Sequence, residues 1–296
     1  MNAKIWQRTV IILLAVSFTA SADEKLSVYA VNYPLAYFAE RIGGSSVNVV
    51  LPVPADIDPA FWEPDASVIA EFQQADLILL NGAGYAKWLK HASLPRRKLV
   101  NTSAAFQRDY ISVEQTVTHQ HGPGGDHSHA GTAFTTWLDF NQARMQAKAV
   151  LSALEKQRPR HADTFIQNYT LLEKDLVSLD QTLSAIVAQD SNKPFIASHP
   201  VYQYLARRYY INLKSVMWEP EIMPEQNQWD ALQQLLATHD AKWMIWEGQP
   251  DKQSATRLEE LDINSLVFSP CANTPEDGDF ISVMKNNIKE VEKAFR

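Results

Sequence analysis

Four of the chain's eight histidines, His119, His121, His127 and His129, lie in the tract His-Gln-His-Gly-Pro-Gly-Gly-Asp-His-Ser-His at 119–129. Neutral imidazole is the commonest protein ligand for zinc and related borderline metals. Asp126 adds a carboxylate, and a short His-rich tract reads as metal-binding on composition alone. Its glycines and Pro123 break the stretch, so it reads as a loop, neither helix nor strand. The single cysteine, Cys271, has no mate for an intrachain disulfide. As a thiolate it would be a strong zinc ligand; as a thiol it would be a small buried hydrophobe. The chain has no His-Glu-x-x-His, no Gly-x-Ser-x-Gly, no phosphate-binding glycine loop and no Rossmann glycine fingerprint. Nothing in it argues for an enzyme.

The elements that must position these residues begin after an export signal. Lys4 and Arg8 precede an apolar run, Val10 to Phe18, too short to span a bilayer. Ala20-Ser21-Ala22 supplies small residues for cleavage. Residues 1–22 are thus expected to be removed. No cysteine follows the run, so a periplasmic protein without a lipid anchor is expected. Losing Lys4 and Arg8 leaves 25 basic against 34 acidic residues, a net charge of −9. That balance disfavours nucleic acid and anionic membrane surfaces and mildly favours cations.

From Leu26 onward, strand-like runs alternate with helix-like patterns, as in Leu26–Val31, Leu35–Ile42, Val47–Val53, Ala66–Phe72 and Ala75–Asn81. The alternation resumes at Pro194–Ser198 and continues to a closing helix, Phe280–Phe295. It predicts an α/β fold of two lobes with mostly parallel sheets. Between them, Phe165, Tyr169, Leu172, Leu176, Leu179, Leu183 and Ile186 recur at steps of three and four. That stripe predicts one long, stiff helix, roughly 40 Å from His161 onward. The expected division is 23–158 for the first lobe, 159–190 for the spine and 191–296 for the second lobe. Asp139 is positioned to cap the preceding helix, with Gln142 at the capping-box position.

Several fragments, in order, resemble the periplasmic zinc and manganese solute-binding proteins of ABC importers, the TroA-like family, and its zinc-uptake branch in particular. They are Asp58-Pro59-Ala60-Phe61-Trp62-Glu63-Pro64, Trp137-Leu138-Asp139, Ser198-His199 through Tyr204, Glu247 with the Phe268-Ser269-Pro270 turn, and Met284 with Asn286 and Asn287. The resemblance implies two Rossmann-like lobes joined by one long helix. It also implies a divalent metal, zinc or similar, as the transported ligand, with no organic cofactor. A membrane permease is the implied partner, and a monomer is expected.

The resemblance implies one metal ligand per segment, and this chain departs from that. Only His199 matches; Ala60, Thr135 and Ser269 stand where the pattern has two imidazoles and an acid. A closed zinc site wants about four ligands. Three remedies are open. Cys271, Glu247 or Glu63, with Glu219, Glu221 and Glu225 nearby, could substitute. The His tract could fold over the cleft and meet His199. Or the cleft, with Trp62, Trp137, Tyr202 and Trp218 in its segments, could take an organic or metal-chelate ligand. A periplasmic metal buffer working through the tract is the remaining alternative.

Overall fold

A computed structural model describes residues 24–113, 118–120, 126–128 and 131–296. The expected signal segment, His121 and His129 lie outside the described residues. The first sheet contains β1 (Leu26–Ala30), β2 (Val47–Val50), β3 (Leu77–Leu80) and β4 (Leu99–Asn101). All its pairings are parallel, in the order β2-β1-β3-β4. β3 reads Leu-Ile-Leu-Leu, the continuous apolar run of a strand covered on both faces. Helix α1 (Tyr33–Gly43) follows β1. Its N-cap Asn32 accepts from the Leu35 amide, and Pro34 sits in the first turn where no amide is missed. Helix α2 (Ala66–Gln74) is capped by Asp65, whose side chain accepts from the Ser67 and Val68 amides.

Two short antiparallel pairs follow: β5 (Ser112–Val113) with β8 (Gly131–Thr132), and β6 (Thr118–Gln120) with β7 (Asp126–Ser128). The second pair corrects the expectation that the His tract forms no strand. The glycines and Pro123 are confined to 122–125, between the two strands. The flanks therefore keep the donors and acceptors a ladder needs, and His119 falls opposite His127.

Helix α3 (Phe140–Gln157) starts at Asp139, which accepts from the Asn141 and Gln142 amides. The reciprocal capping-box bond is not made: the Gln142 side-chain oxygen is buried without a partner. The spine is α4 (Ala162–Val187), 26 residues long, with every residue of the sequence stripe buried. Its far end leads into a second sheet of β9 (Pro194–Ala197), β10 (Asn212–Ser215), β11 (Trp243–Trp246) and β12 (Asn264–Val267). The order β10-β9-β11-β12, all parallel, repeats that of the first sheet. Helices α5 (Gln203–Tyr209), α6 (Gln226–Leu236), α7 (Lys252–Glu260) and α8 (Phe280–Lys293) complete this half.

The spine packs on α1 and α3 on one side and on α5 and α8 on the other. Arg41 of α1 reaches Asp175 at 3.0 Å, and Arg208 of α5 grips both oxygens of Asp180 at 3.0 and 2.6 Å. The lobes also touch directly. Phe38 meets Phe280 edge-to-face at 5.5 Å, the Trp137 indole donates to the Pro270 carbonyl at 2.7 Å, and Tyr204 donates to the Ala133 carbonyl. One buried apolar cluster runs through both lobes and the spine. An arrangement so cross-linked resists a wide hinge motion. Among the described residues, no helix is long and apolar enough to cross a membrane.

Candidate metal-binding cleft

Parallel sheets present their carboxyl ends to one side, and ligands of open α/β sheets bind in the crevice there. Both sheets do so toward a shared cleft of about 750 Å³. Asp58 comes from the loop after β2, Tyr85 from the loop after β3, and Thr135 and Trp137 from the approach to α3. His199, Glu219, Glu247 and Ser269 follow β9, β10, β11 and β12.

Register dictates the central contact. Ala197 of β9 pairs with Ile245 of β11, so the residues two places beyond each strand, His199 and Glu247, emerge side by side. The His199 Nδ1 lies 2.7 Å from Glu247 Oε1. With Glu247 ionised, a neutral imidazole carries its proton on Nδ1 and presents Nε2 as an electron-pair donor. Nε2 lies 4.0 Å from Glu219 Oε1. Two ligands of one tetrahedral ion, at roughly 2.0–2.2 Å each, stand about 3.4 Å apart, so the Glu219 carboxylate would need to close in by about half an ångström to share an ion with Nε2. The Trp218 amide, bonded to the Ser198 carbonyl at 2.7 Å, holds the Glu219 loop over His199. A carboxylate that orients a ligating imidazole from behind is a recurrent device of metal sites.

The other positions that the resemblance singles out behave differently. Ala60 is fully buried, and with Trp62, Tyr202 and Trp218 it belongs to the core and not to the cleft wall. These four correct the expectation of cleft-lining residues. Their apolar surface is worth more buried against neighbouring rings, as where Trp218 meets Trp229 at 4.6 Å. Tyr202 spends its hydroxyl on the Phe268 carbonyl at 2.7 Å. Thr135, Trp137 and Ser269 do line the cleft. Yet the Thr135 hydroxyl donates to the Val201 carbonyl, and Ser269 Oγ accepts the Cys271 amide at 3.2 Å.

Of the substitute ligands, Glu63 is exposed and outside the cleft. Cys271 lines it, but burial, with Asp279 nearby, pushes its thiol up to about 12. Burial thus keeps the proton on the thiol in the metal-free chain. Glu247 serves as the support of His199. Glu219, which the sequence offers only as one of several nearby acids, is the carboxylate that lies 4.0 Å from His199 Nε2. The signal was its place two residues past the Leu213–Met217 run, at a sheet's carboxyl edge. Among the described residues, no three His, Cys, Asp or Glu side chains converge as a ligand set.

The family model for the zinc-uptake complex component A, periplasmic, matches residues 28–294. The chain belongs to this family. Its relatives include the zinc-binding lipoprotein AdcA of Streptococcus pneumoniae, 24% identical over 95% of this chain and 58% of AdcA. Another is the high-affinity zinc uptake system protein ZnuA of Bacillus subtilis, 25% identical over 90% of this chain and 87% of that protein. The chain thus spans little more than half the length of AdcA. The Zn(II)-bound ZnuA-like domain of S. pneumoniae AdcA superposes with a TM-score of 0.75 at 20% identity, covering 92% of this chain and 99% of that domain. Zinc-uptake component A proteins are extracytoplasmic solute-binding parts of transporters, not enzymes. Their two-lobe fold is the one found here.

Proposed function

We propose that this protein captures zinc, or a similar divalent cation, outside the cytoplasm for a membrane permease of an ABC importer. The observation that carries this reading is His199, backed on Nδ1 by Glu247 and facing Glu219 across 4.0 Å in a cleft between two lobes. In the site as we read it, His199 and Glu219 touch the metal, and Glu247 orients His199. The cation is cargo, and no step of chemistry is performed on it. The zinc named for AdcA and ZnuA supports the choice of metal. We further read residues 1–22 as a removed signal, the mature chain as a monomer, and residues 23–158, 159–190 and 191–296 as lobe, spine and lobe. Calorimetric titration of the purified chain with zinc tests the reading. One tight site that is lost in His199→Ala is expected; unchanged binding in that variant overturns it.

A second reading is favoured by one observation, the register that sets His119 opposite His127. In this reading the tract gathers metal by itself, as a feeder of the cleft or as a buffer.

A further inference from the structure

The cleft is cut for something larger than a bare ion. Six waters around an ion occupy on the order of 180 Å³, at about 30 Å³ each. The cleft encloses about 750 Å³, within the range of small-molecule sites. Among the described residues, its walls carry Asp56, Asp58, Glu219, Glu221, Glu247 and Glu276, and no lysine or arginine. The field they produce selects a cation. Among the described residues, the metal side has His199 and Glu219; Ala60 carries no donor atom, and Thr135 spends its hydroxyl on the Val201 carbonyl. An ion held by these two side chains has coordination positions that ligands travelling with it can fill.

A second and independent observation comes from the first lobe. The loop after β3 passes through three successive residues at positive φ: Gly82 at 76°, Ala83 at 51° and Gly84 at 68°. For Ala83, which carries a Cβ, that conformation is strained. The turn delivers Tyr85, whose ring is held edge-to-face between Phe134 at 5.4 Å and Trp137 at 5.5 Å. Tyr85 lines the cleft and is only 2% exposed. Its hydroxyl is buried and makes no hydrogen bond. A phenol so placed is destabilising until an acceptor arrives. The strained turn at Ala83 and the unsatisfied hydroxyl of Tyr85 stand two residues apart at one wall of the cleft, as expected of a ligand clamp.

We infer that the cleft takes its metal as a small, positively charged amino-carboxylate chelate, with His199 and Glu219 on the metal and the Tyr85 hydroxyl donating to a carboxylate oxygen of the chelator. This rests on the metal-capture reading above and names the form of the cargo. The acidic walls favour a complex of net positive charge and repel one of net negative charge.

The test uses the full chain at a fixed, metal-buffered free-zinc concentration. L-histidine, whose one-to-one zinc complex is a cation, is compared with citrate, whose complex is an anion. Expected are at least tenfold more protein-bound zinc with histidine, none with citrate, and a protein–zinc–histidine mass in native mass spectrometry. Tyr85→Phe removes the histidine-dependent gain. It keeps the ring, and its ligand-free thermal midpoint stays level or rises, because a buried unpaired hydroxyl is gone. Zinc bound equally well without histidine overturns the chelate and leaves the metal reading standing. So does equal enhancement by citrate, or a gain that survives Tyr85→Phe. Histidine bound without zinc also overturns it. No zinc bound under any condition sinks the metal reading itself.

Discussion

His199 Nδ1 and Glu247 Oε1 lie 2.7 Å apart because Ala197 and Ile245, two residues earlier in each strand, are register partners. The pair joins neighbouring parallel strands at their carboxyl ends. The imidazole is almost completely buried, with its side chain 2% exposed, so its tautomer is set by the carboxylate behind it.

That relationship separates two kinds of loss. His199→Ala should lower zinc affinity more than a hundredfold, since it removes the one imidazole donor of the described cleft. Glu247→Gln should lower it by about 10–100-fold, the usual effect of removing a supporting carboxylate. Titration calorimetry distinguishes them. Equal losses would mean that Glu247 binds the metal itself.

Deleting residues 119–129 should lower the number of zinc ions bound without removing the cleft ion. Native mass spectrometry counts them. Loss of every bound ion would assign all binding to the tract.

Cys271 should contribute a pH-dependent share of stability. Its folded thiol is pushed up to about 12 by burial, with Asp279 adding to it, from an ordinary value of about 9. Below pH 9 both folded and unfolded chains hold the proton. Between about 9 and 12 the unfolded chain releases it and the folded chain does not, so stability falls as pH rises. The loss amounts to a few kcal/mol at most, by roughly 1.4 kcal/mol per pH unit. Tyr33, raised to about 12 by burial, acts in the same direction. Denaturant titrations at pH 8 and 11 should show a smaller drop for Cys271→Ala than for the natural chain. An equal drop removes the thiol from the account. The same variant should bind zinc unchanged.

The spine should show unequal clamps. Asp180 holds Arg208 through two oxygens and takes the Tyr209 hydroxyl at 2.9 Å. Asp175 holds Arg41 through one, with both side chains about a third exposed. Asp180→Ala should cost about 1–3 kcal/mol, and Asp175→Ala about 1 kcal/mol or less. Thermal denaturation would read this as a larger fall for Asp180→Ala. The reverse order would make α1, and not α5, the firmer attachment of the spine.

Much of the fold was legible in the chain by itself. The stripe from Phe165 to Ile186 defined the spine, because a helix displays its period wherever one face is buried. Strands β3 and β11 were legible as short apolar runs, and Asp139 as a cap. The tract was misread: its glycines and proline dominate the composition, but they sit between β6 and β7 and leave the ladder intact. Sequence order also placed His199, Glu247 and Ser269 at corresponding points of successive strand ends, and so on one side of a cleft.

The sequence by itself determined the alternation of elements, the acidic balance and the residue types at Ala60, Thr135 and Ser269, where the resemblance implies ligands. Which side chains stand near His199 was decided only by the tertiary structure. Glu219 became the acid facing His199, Glu247 its support, and Tyr85 an unpaired donor at the wall. Strand register and loop strain act between segments far apart in the chain. No local pattern of residue types records which carboxylate lies within 4 Å of an imidazole and which looks to solvent.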